Sequence, residues 1–222
     1  MSLPTFLSWL KENSGRNRHG PLRPKPRWRP ATPRRAFRLR LEALEDRALP
    51  STFSVTNLAD SGPGSLPQAI LSANAQAGSD VIDFASGLAG TITLTSGPLN
   101  ITDGLMVTGP GAAQLAVSGN DASQVFLINS GVSAVLDGLS ITHGQAPDGG
   151  GIANGGTLTV SHCTLSANQA LGSEGGDARG GAIFNAPGAF LDVSDDTLSN
   201  NQAVGGDGGP GHRGGVGRGG GI

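Results

Sequence analysis

The chain has 222 residues, of which 37 are glycine, none is tyrosine and 4% are aromatic, so a core built on large rings is excluded. The glycines follow no three-residue period, which also excludes a collagen-like chain. Residues 1–50 hold twelve of the fifteen Lys and Arg residues and four of the seventeen acids, a net of +8, and residues 51–222 carry a net of −10. This asymmetry indicates two segments with separate tasks.

Residues 1–51 are predicted to be a basic leader that is mostly disordered, because the Arg- and Pro-rich stretch 16–40 cannot bury a core. One interpretation is a nucleic-acid-binding arm, but no recognition module accompanies the charge, and we expect no nucleic-acid partner. An export or signal segment is favoured instead. The motif L-E-A-L-E-D-R-A-L-P-S at 41–51 resembles the leader of planctomycete-type extracellular proteins, and this resemblance implies export.

Residues 52–125 are predicted to form an N-terminal cap and the first coils of a repeat fold. Short apolar alternations, such as T-I-T-L-T at 91–95, are separated by Gly, Asn and Asp, the pattern of short strands between turns. Residues 65–75 differ and predict one short helix, with Ser65 as N-cap and Pro67 in the first turn. No run approaches about 18 apolar residues, so we expect no transmembrane helix.

Two sequence markers recur in the same order in residues 126–222. The first reads T-L-S-A-N-Q-A at 164–170 and T-L-S-N-N-Q-A at 197–203, with a weaker copy at 140–146. The second reads G-G-G-I-A-N at 149–154 and G-G-A-I-F-N at 180–185. Two markers that recur together indicate a solenoid.

The alternation of side chains in each strand assigns an inward face, because successive side chains point to opposite sides. The inward residues form three stacked sets and one further ladder: Ala134, Leu136, Leu139 and Ile141; Leu158, Val160, Cys163 and Leu165; Leu191, Val193, Asp196 and Leu198; and Ile152, Ile183 and Ile222. Three short strands per coil predict an all-β fold, a right-handed parallel β-helix. Because the marker at 219–222 opens a coil, we expect the repeats to be incomplete at the C-terminus.

The paired markers resemble the repeats of bacterial polymorphic outer membrane proteins, with Leu165 and Leu198 in place of a Phe. Residues 53–74 resemble the opening segment of related surface β-helix proteins. The resemblance implies a pectate-lyase-like architecture at the cell surface, associated with the outer membrane, and a structural or adhesive role. The expected partner is a surface polysaccharide or another cell-surface protein, and the oligomeric state stays open.

Parallel β-helices also host polysaccharide lyases and glycoside hydrolases, so a carbohydrate-active enzyme is the alternative. The densest acidic group consists of Asp192, Asp195 and Asp196. The aligned residues of the preceding coil are Thr159, His162 and Cys163, which do not continue the acidic group. We therefore expect no catalytic residue. The run G-G-D-G-G at 205–209 is a single imperfect copy of a Ca²⁺-binding repeat, and we expect no metal and no cofactor.

Asparagines and insertions occupy the predicted corners of the coils. Asn154 and Asn185 are equivalent, as are Asn168 and Asn201, and we interpret them as structural, since Asn tolerates left-handed turns and stacked Asn side chains can bond along a ladder. Cys163 is interpreted as a small interior hydrophobe.

Insertions follow the N-Q-A corner of successive coils. Their loops, 171–180 and 204–219, are expected to be flexible and exposed, and either a binding role or no role is open for them.

Overall fold

The computed structural model describes residues 49–222, so the predicted leader lies outside the described residues except for its last three positions. The elements in chain order are β1 (Thr52–Val55), α1 (Leu66–Asn74), β2 (Asp80–Phe84), β3 (Gly90–Thr93), β4 (Leu99–Ile101), β5 (Leu105–Thr108), β6 (Leu115–Ser118), β7 (Phe126–Ile128), β8 (Ser133–Asp137), β9 (Ser140–Thr142), β10 (Gln145–Ala146), β11 (Ile152–Asn154), β12 (Thr157–Ser161), β13 (Thr164–Ser166), β14 (Gln169–Leu171), β15 (Ala178–Arg179), β16 (Ile183–Asn185), β17 (Phe190–Ser194), β18 (Thr197–Ser199), β19 (Gln202–Val204) and β20 (Gly217–Arg218).

The strands stack into parallel sheets that the chain visits in rotation. Sheet 1 has the order β1-β2-β5-β8-β12-β17, sheet 2 the order β18-β13-β9-β6-β3, and sheet 3 the order β16-β11-β7-β4. The chain passes from sheet 1 to sheet 2 to sheet 3 and back, over about five turns. Parallel pairing between successive turns defines a β-solenoid. The predicted parallel β-helix is confirmed.

The predicted repeat offsets are the register of the stacked strands. Leu165 pairs with Ile141 on one side and with Leu198 on the other, and Val160 lies between Leu136 and Val193 in the same way. The inward residues of the first two predicted sets are all buried, and those of the third set are partly exposed. Strand alternation therefore identified the interior correctly.

Ile222 is the exception in the predicted inward ladders. The carbonyl oxygen of Gly221 accepts a hydrogen bond from the Ile183 amide at 2.9 Å, which keeps the backbone in register. The Ile222 side chain is nevertheless 56% exposed, because no described residue packs over it. The same lack of an outer neighbour explains the partial exposure of Leu198 and the rest of the third set.

The helix α1 closes the N-terminal end of the interior. Ser65 caps it, since its hydroxyl accepts a hydrogen bond from the Gln68 amide at 3.3 Å, and Pro67 lies in the first turn. Leu66 and Ile70 belong to the continuous apolar core, which α1 joins through contacts with β1, β2 and β4. The predicted helix, its cap and its proline position are confirmed.

The corners of the coils use left-handed backbone at three recurring places, but not at the asparagines of the ladders. Residues with positive φ align in three sets: Gly138, His162 and Asp195; His143, Ala167 and Asn200; and Gly149, Gly180 and Gly219. None of Asn154, Asn168, Asn185 and Asn201 has a positive φ. The expectation that a left-handed conformation selects these asparagines is wrong. The other expectation, that stacked asparagine side chains bond along the ladder, is confirmed.

The prediction of three strands per coil is incomplete, because the N-Q-A corner is itself a short strand. Sheet 4 has the order β10-β14-β19, and sheet 5 pairs β15 with β20. Sheet 5 lies within the two inserted loops. We call residues 171–180 and 204–219 together the lateral layer, since they extend the solenoid outward from sheet 4.

Backbone hydrogen bonds join the two loops of the lateral layer. The Gly172 amide donates to the Val204 carbonyl at 2.9 Å, and the Gly206 amide donates to the Gly176 carbonyl at 2.9 Å. A Cβ atom on Gly206 would lie 1.7 Å from the Ser173 carbonyl oxygen, so only glycine permits this approach. The loops are largely exposed, as expected, and backbone hydrogen bonds join them into one layer.

Candidate functional site

The asparagine ladders are structural brackets between coils. The Asn168 side chain accepts a hydrogen bond from the Gly144 amide at 2.9 Å and donates to the Ile141 carbonyl at 2.9 Å. It also donates to the Asn201 side-chain oxygen at 3.0 Å. The Asn201 side chain in turn accepts a hydrogen bond from the Asn168 backbone amide and donates one to the Leu165 carbonyl. Each bracket satisfies polar groups that a corner leaves without a strand partner. The predicted structural role is confirmed.

The second asparagine ladder works in the same manner on the other side of the coil. The side-chain Nδ2 of Asn154 donates to the Asn185 side-chain oxygen at 2.7 Å and to the Phe190 carbonyl at 2.8 Å. Its own oxygen accepts from the Gly156 amide at 3.0 Å. These bonds use both side-chain N–H donors of Asn154 and one of the two acceptor positions of its oxygen, which fits a structural role.

A group of polar side chains collects where the chain turns from sheet 1 to sheet 2. We call Asp137, Ser161, His162, Asp195 and Asp196 the corner cluster. Pairing of β8 with β12 places Asp137 beside Ser161, whose hydroxyl donates to the Asp137 carboxylate at 2.8 Å. The left-handed conformation of His162 places its Nδ1 atom 2.8 Å from the same carboxylate oxygen.

The coil before Asp192, Asp195 and Asp196 does not continue their acidic group, as its sequence indicates, but one of its residues links two other coils. His162 stands at the position equivalent to Asp195 and bonds to Asp137 of the coil before it. The corner cluster thus has members in three coils. The sequence signal is Asp137 followed by Ser161 and His162, 24 and 25 residues later, and comparing only two coils misses it.

The residues of the corner cluster shift the pKa values of His162 and Asp137 in opposite directions. The hydrogen bond to Asp137 raises the pKa of His162 above its ordinary value, and the charges of Asp137, Asp195 and Asp196 add to this effect. Hydrogen bonds from His162 and Ser161 lower the pKa of the Asp137 carboxyl. Both shifts favour an ion pair between imidazolium and carboxylate.

Asp196 and Cys163 lie at the inward side of the corner. The Asp196 carboxylate accepts a hydrogen bond from the Cys163 amide, just as the Cys163 sulfur accepts one from the Leu139 amide at 3.4 Å. Burial raises the pKa of Asp196, and the second carboxylate oxygen has no hydrogen-bond partner. Burial also raises the pKa of the Cys163 thiol to about 11, so it stays protonated, as an interior side chain does.

The geometry of the corner cluster does not form a nucleophilic relay. Such a relay needs a serine hydroxyl bonded to an imidazole that a carboxylate orients from its other nitrogen. Here the Ser161 hydroxyl bonds to Asp137 directly, and the His162 side chain is 68% exposed. Asp192 also points outward on β17 and is exposed. Within residues 49–222, no group of three or more His, Cys, Asp or Glu side chains is placed to hold a metal ion.

The lateral layer carries a second set of charged contacts, which sequence reasoning missed. Arg179 makes a two-pronged ion pair with Asp148, with both N–O distances at 2.8 Å, and its guanidinium lies 4.8 Å from the centre of the Phe184 ring. Arg218 lies 3.5 Å from Asp177. The signal was present, since Asp148, Arg179 and Arg218 each stand immediately before a Gly-Gly-x-Ile marker.

Residues 49–222 also form surface depressions outside the corner cluster. A depression of about 410 Å³ lies between α1 and the 96–102 segment, where apolar residues such as Leu71 and Pro98 and polar residues such as Asn74 line it. Another, of about 380 Å³, lies in the lateral layer, with Glu174 and Arg213 among its lining residues. A further one, of about 330 Å³, lies beside Asp121 and His143. The G-G-D-G-G run belongs to this layer, where the Asp207 carbonyl accepts a hydrogen bond from the Gly175 amide at 2.9 Å.

These features define the class of the protein as a parallel β-helix repeat protein with a packed lateral layer. Comparison with known protein families, curated proteins and solved structures finds no match to this chain. The resemblances to polymorphic outer membrane protein repeats and to planctomycete-type leaders therefore stay predictions. In the part of the chain that the structure describes, no helix is both long and apolar enough to cross a membrane.

Proposed function

We propose that the protein is an exported or surface-attached β-helix repeat protein with a structural or adhesive role. The observation that carries this proposal is the lateral layer, in which the inserted loops of successive coils pair with each other through β15 and β20. Per-repeat insertions in solenoids collect on one face, which is often the binding face. A packed, exposed layer gives such a face a fixed shape.

The leader motif supports the proposed location of the protein at the cell exterior. This part of the proposal is tested by fusing residues 1–51 to a reporter enzyme and fractionating cells that express the fusion. Reporter activity outside the cytoplasm supports export. A matched fusion with residues 41–51 scrambled should stay inside, and equal export of both fusions would contradict the role of the motif.

The adhesive role is tested by binding of the full chain to a panel of immobilised neutral and acidic polysaccharides, with turnover measured on the same panel. Binding without release of sugar fragments is the expected result. Turnover of any member of the panel would overturn the non-catalytic role. Failure to bind every member would remove polysaccharide adhesion and leave only a structural role or a protein partner.

The alternative function is a carbohydrate-active enzyme, and the corner cluster is the observation that favours it. A histidine and carboxylates that meet across three coils can in principle exchange protons with a sugar chain. This function predicts that Asp195→Asn or Asp196→Asn abolishes turnover while the circular dichroism spectrum is unchanged. If the wild-type chain turns over no polysaccharide, the alternative falls.

A further inference from the structure

The chain passes from an exposed segment into the solenoid at residue 51. Leu49 is 79% exposed, Pro50 is exposed as well, and neither belongs to a strand or a helix. Ser51 directly precedes β1 and is already held in register, because its carbonyl accepts a hydrogen bond from the Val81 amide at 2.8 Å. The peptide bond between Pro50 and Ser51 therefore joins an accessible segment to a fixed one.

The nitrogen of this peptide bond contacts a buried carboxylate. The Ser51 backbone nitrogen donates to Oδ1 of Asp80 at 2.8 Å, and Asp80 is only 1% exposed. The other oxygen, Oδ2, is buried and forms no hydrogen bond with any residue of the segment 49–222. Buried polar groups of folded proteins are almost always paired, and an ionised carboxyl group can accept up to about four hydrogen bonds. One backbone amide therefore leaves most of this carboxylate unsatisfied.

No side-chain cation within residues 49–222 balances Asp80. No ion pair among these residues includes it. Beyond residue 50 the chain has no lysine, and its three arginines all lie in the lateral layer. Sheet 1 places β5 and β8 between β2, which begins with Asp80, and β12 of the coil from which the first loop of that layer extends. A buried carboxylate without a cation is costly, because its desolvation is not offset. The Ser51 nitrogen is the atom already in place to carry a balancing charge.

We propose that the bond between Pro50 and Ser51 is a maturation site, at which a peptidase that accepts proline before the cut removes the leader and frees the Ser51 amino group for a buried ion pair with Asp80. In the hydrolysis, the oxygen of water adds to the Pro50 carbonyl carbon and the C–N bond breaks, which leaves a carboxylate on the leader. Both hydrogens of the water end on the Ser51 nitrogen, which becomes an ammonium group with three donors.

The new ammonium group fits the unsatisfied carboxylate. An α-amino group has an ordinary pKa of about 7.7–8.0, so it is charged at neutral pH. From the position of the present amide it can donate to both oxygens of Asp80 in a charge-assisted pair. Pro50 has no N–H group, so its removal takes no backbone donor from the fold.

This inference goes beyond the proposed location and adhesive role, because it concerns what removal of the leader does to the fold. Asp80 opens β2, and β2 pairs with β1, so the ion pair would link the first two strands of sheet 1. The Ser51 hydroxyl already donates to the Gln76 side chain at 2.8 Å, just beyond α1. Cleavage would therefore stabilise the N-terminal end of the solenoid.

The test uses the full chain with the four-residue peptidase site Ile-Glu-Gly-Arg in place of residues 47–50, so that cleavage of the folded protein makes Ser51 the first residue. The matched control carries the same site in place of residues 45–48, so that Leu49 becomes the first residue and Ser51 keeps its peptide bond. We expect the chain that begins at Ser51 to melt at least about 4 °C above the control. Asp80→Asn should remove this difference.

The reactivity of the new amino group gives a second readout. Residues 49–222 contain no lysine, so each cleaved chain has a single primary amine. Acetylation by acetic anhydride, followed by mass spectrometry, should be at least tenfold slower at Ser51 than at Leu49, because the ion pair buries the amine and keeps it protonated. Asp80→Asn should restore rapid acetylation, and circular dichroism confirms that each chain is folded.

Equal melting temperatures or equal acetylation rates for the two folded chains would overturn the ion pair. Cleavage itself is checked by N-terminal sequencing of the protein recovered from the cells that make it. Ser51 as the first residue supports the maturation site, and any other first residue overturns it. A leader that exports no reporter would overturn the proposed location and leave these results unchanged, so the two proposals fail separately.

Discussion

Replacing Asn168 with Asp tests whether the asparagine ladder holds successive coils together. The change keeps the size of the side chain but turns its NH₂ group into an oxygen. That oxygen would face two acceptors, the Ile141 carbonyl at 2.9 Å and the Asn201 side-chain oxygen at 3.0 Å. Asn168 is only 1% exposed, so water cannot replace the lost bonds.

The magnitude follows from these two lost bonds. An unpartnered buried polar group costs about 1–3 kcal/mol, so Asn168→Asp should destabilise the fold by about 2–6 kcal/mol. Whole domains are stable by only about 5–15 kcal/mol, so the effect is a large fraction of the total. At about 2–4 °C per kcal/mol for a chain of this size, the melting temperature should fall by about 4–24 °C.

The assay is thermal unfolding followed by far-ultraviolet circular dichroism at pH 7 and at pH 4. Burial should raise the pKa of the introduced carboxyl, and its protonation on acidification restores one donor, so the gap to the wild type should narrow at pH 4. The matched control is Asn100→Asp, the same change at an exposed position, which should alter the melting temperature by less than about 2 °C. An unchanged melting temperature in Asn168→Asp, or a difference from the wild type that does not depend on pH, would refute the stabilising role of the Asn168 hydrogen bonds.

Three further predictions concern the interior, the corner cluster and the lateral layer. Leu158→Asp places an unpaired charge in the interior and should cost more than the about 2–5 kcal/mol of a cavity there, and unchanged melting would contradict the inward assignment. The raised pKa of His162 means that its ion pair stabilises the fold below pH 6.5, the ordinary pKa, and that this contribution is lost as the pH rises through the raised pKa. The lowered pKa of Asp137 means that the Asp137 contribution is present above pH 3.8. His162→Asn removes the ion pair. The variant should therefore melt lower than the wild type between these pH values and together with it at pH 9, and a deficit that persists at pH 9 would sink the ion pair. Gly206→Ala should cost about 1–3 kcal/mol and expose the loops to limited proteolysis, whereas Gly221→Ala, whose Cβ would meet only an ordinary contact at 3.5 Å, should do neither.

The interior of this fold could be predicted from the sequence because two simple rules coincide there. Strand alternation selects the inward residues, and the repeat offset selects their partners, so Leu165 could be placed between Ile141 and Leu198 without coordinates. The short helix followed from Ser65 and Pro67, which are cap signals that act locally. Strand alternation, the repeat offset and the helix cap can be read from the sequence without knowing how the chain turns at the corners of the coils.

The exterior could not be predicted in the same way, because corners break the alternation. His162 follows a strand, and its left-handed backbone, not its strand parity, turns the ring toward Asp137. The asparagines were identified correctly as structural, and the expected bonds between stacked side chains are present. The expected left-handed conformation is not, since the left-handed positions fall on neighbours such as Ala167. The glycine content of the lateral layer predicts exposed loops, but it does not reveal that the two loops pair, which depends on the close backbone approach at Gly206.

The asparagine ladder also positions the start of the lateral layer, which connects the stability of the coils to the proposed binding face. Asn168 and Asn201 directly precede β14 and β19, from which the loops 171–180 and 204–219 extend. Because backbone hydrogen bonds join these loops, loss of the Asn168 hydrogen bonds should disturb their pairing as well as lower the thermal stability. Asn168→Asp should therefore expose the loops to limited proteolysis together with lowering the melting temperature. If it lowers the melting temperature but leaves the loops as protected as in the wild type, the layer holds its shape independently of the coils beneath it.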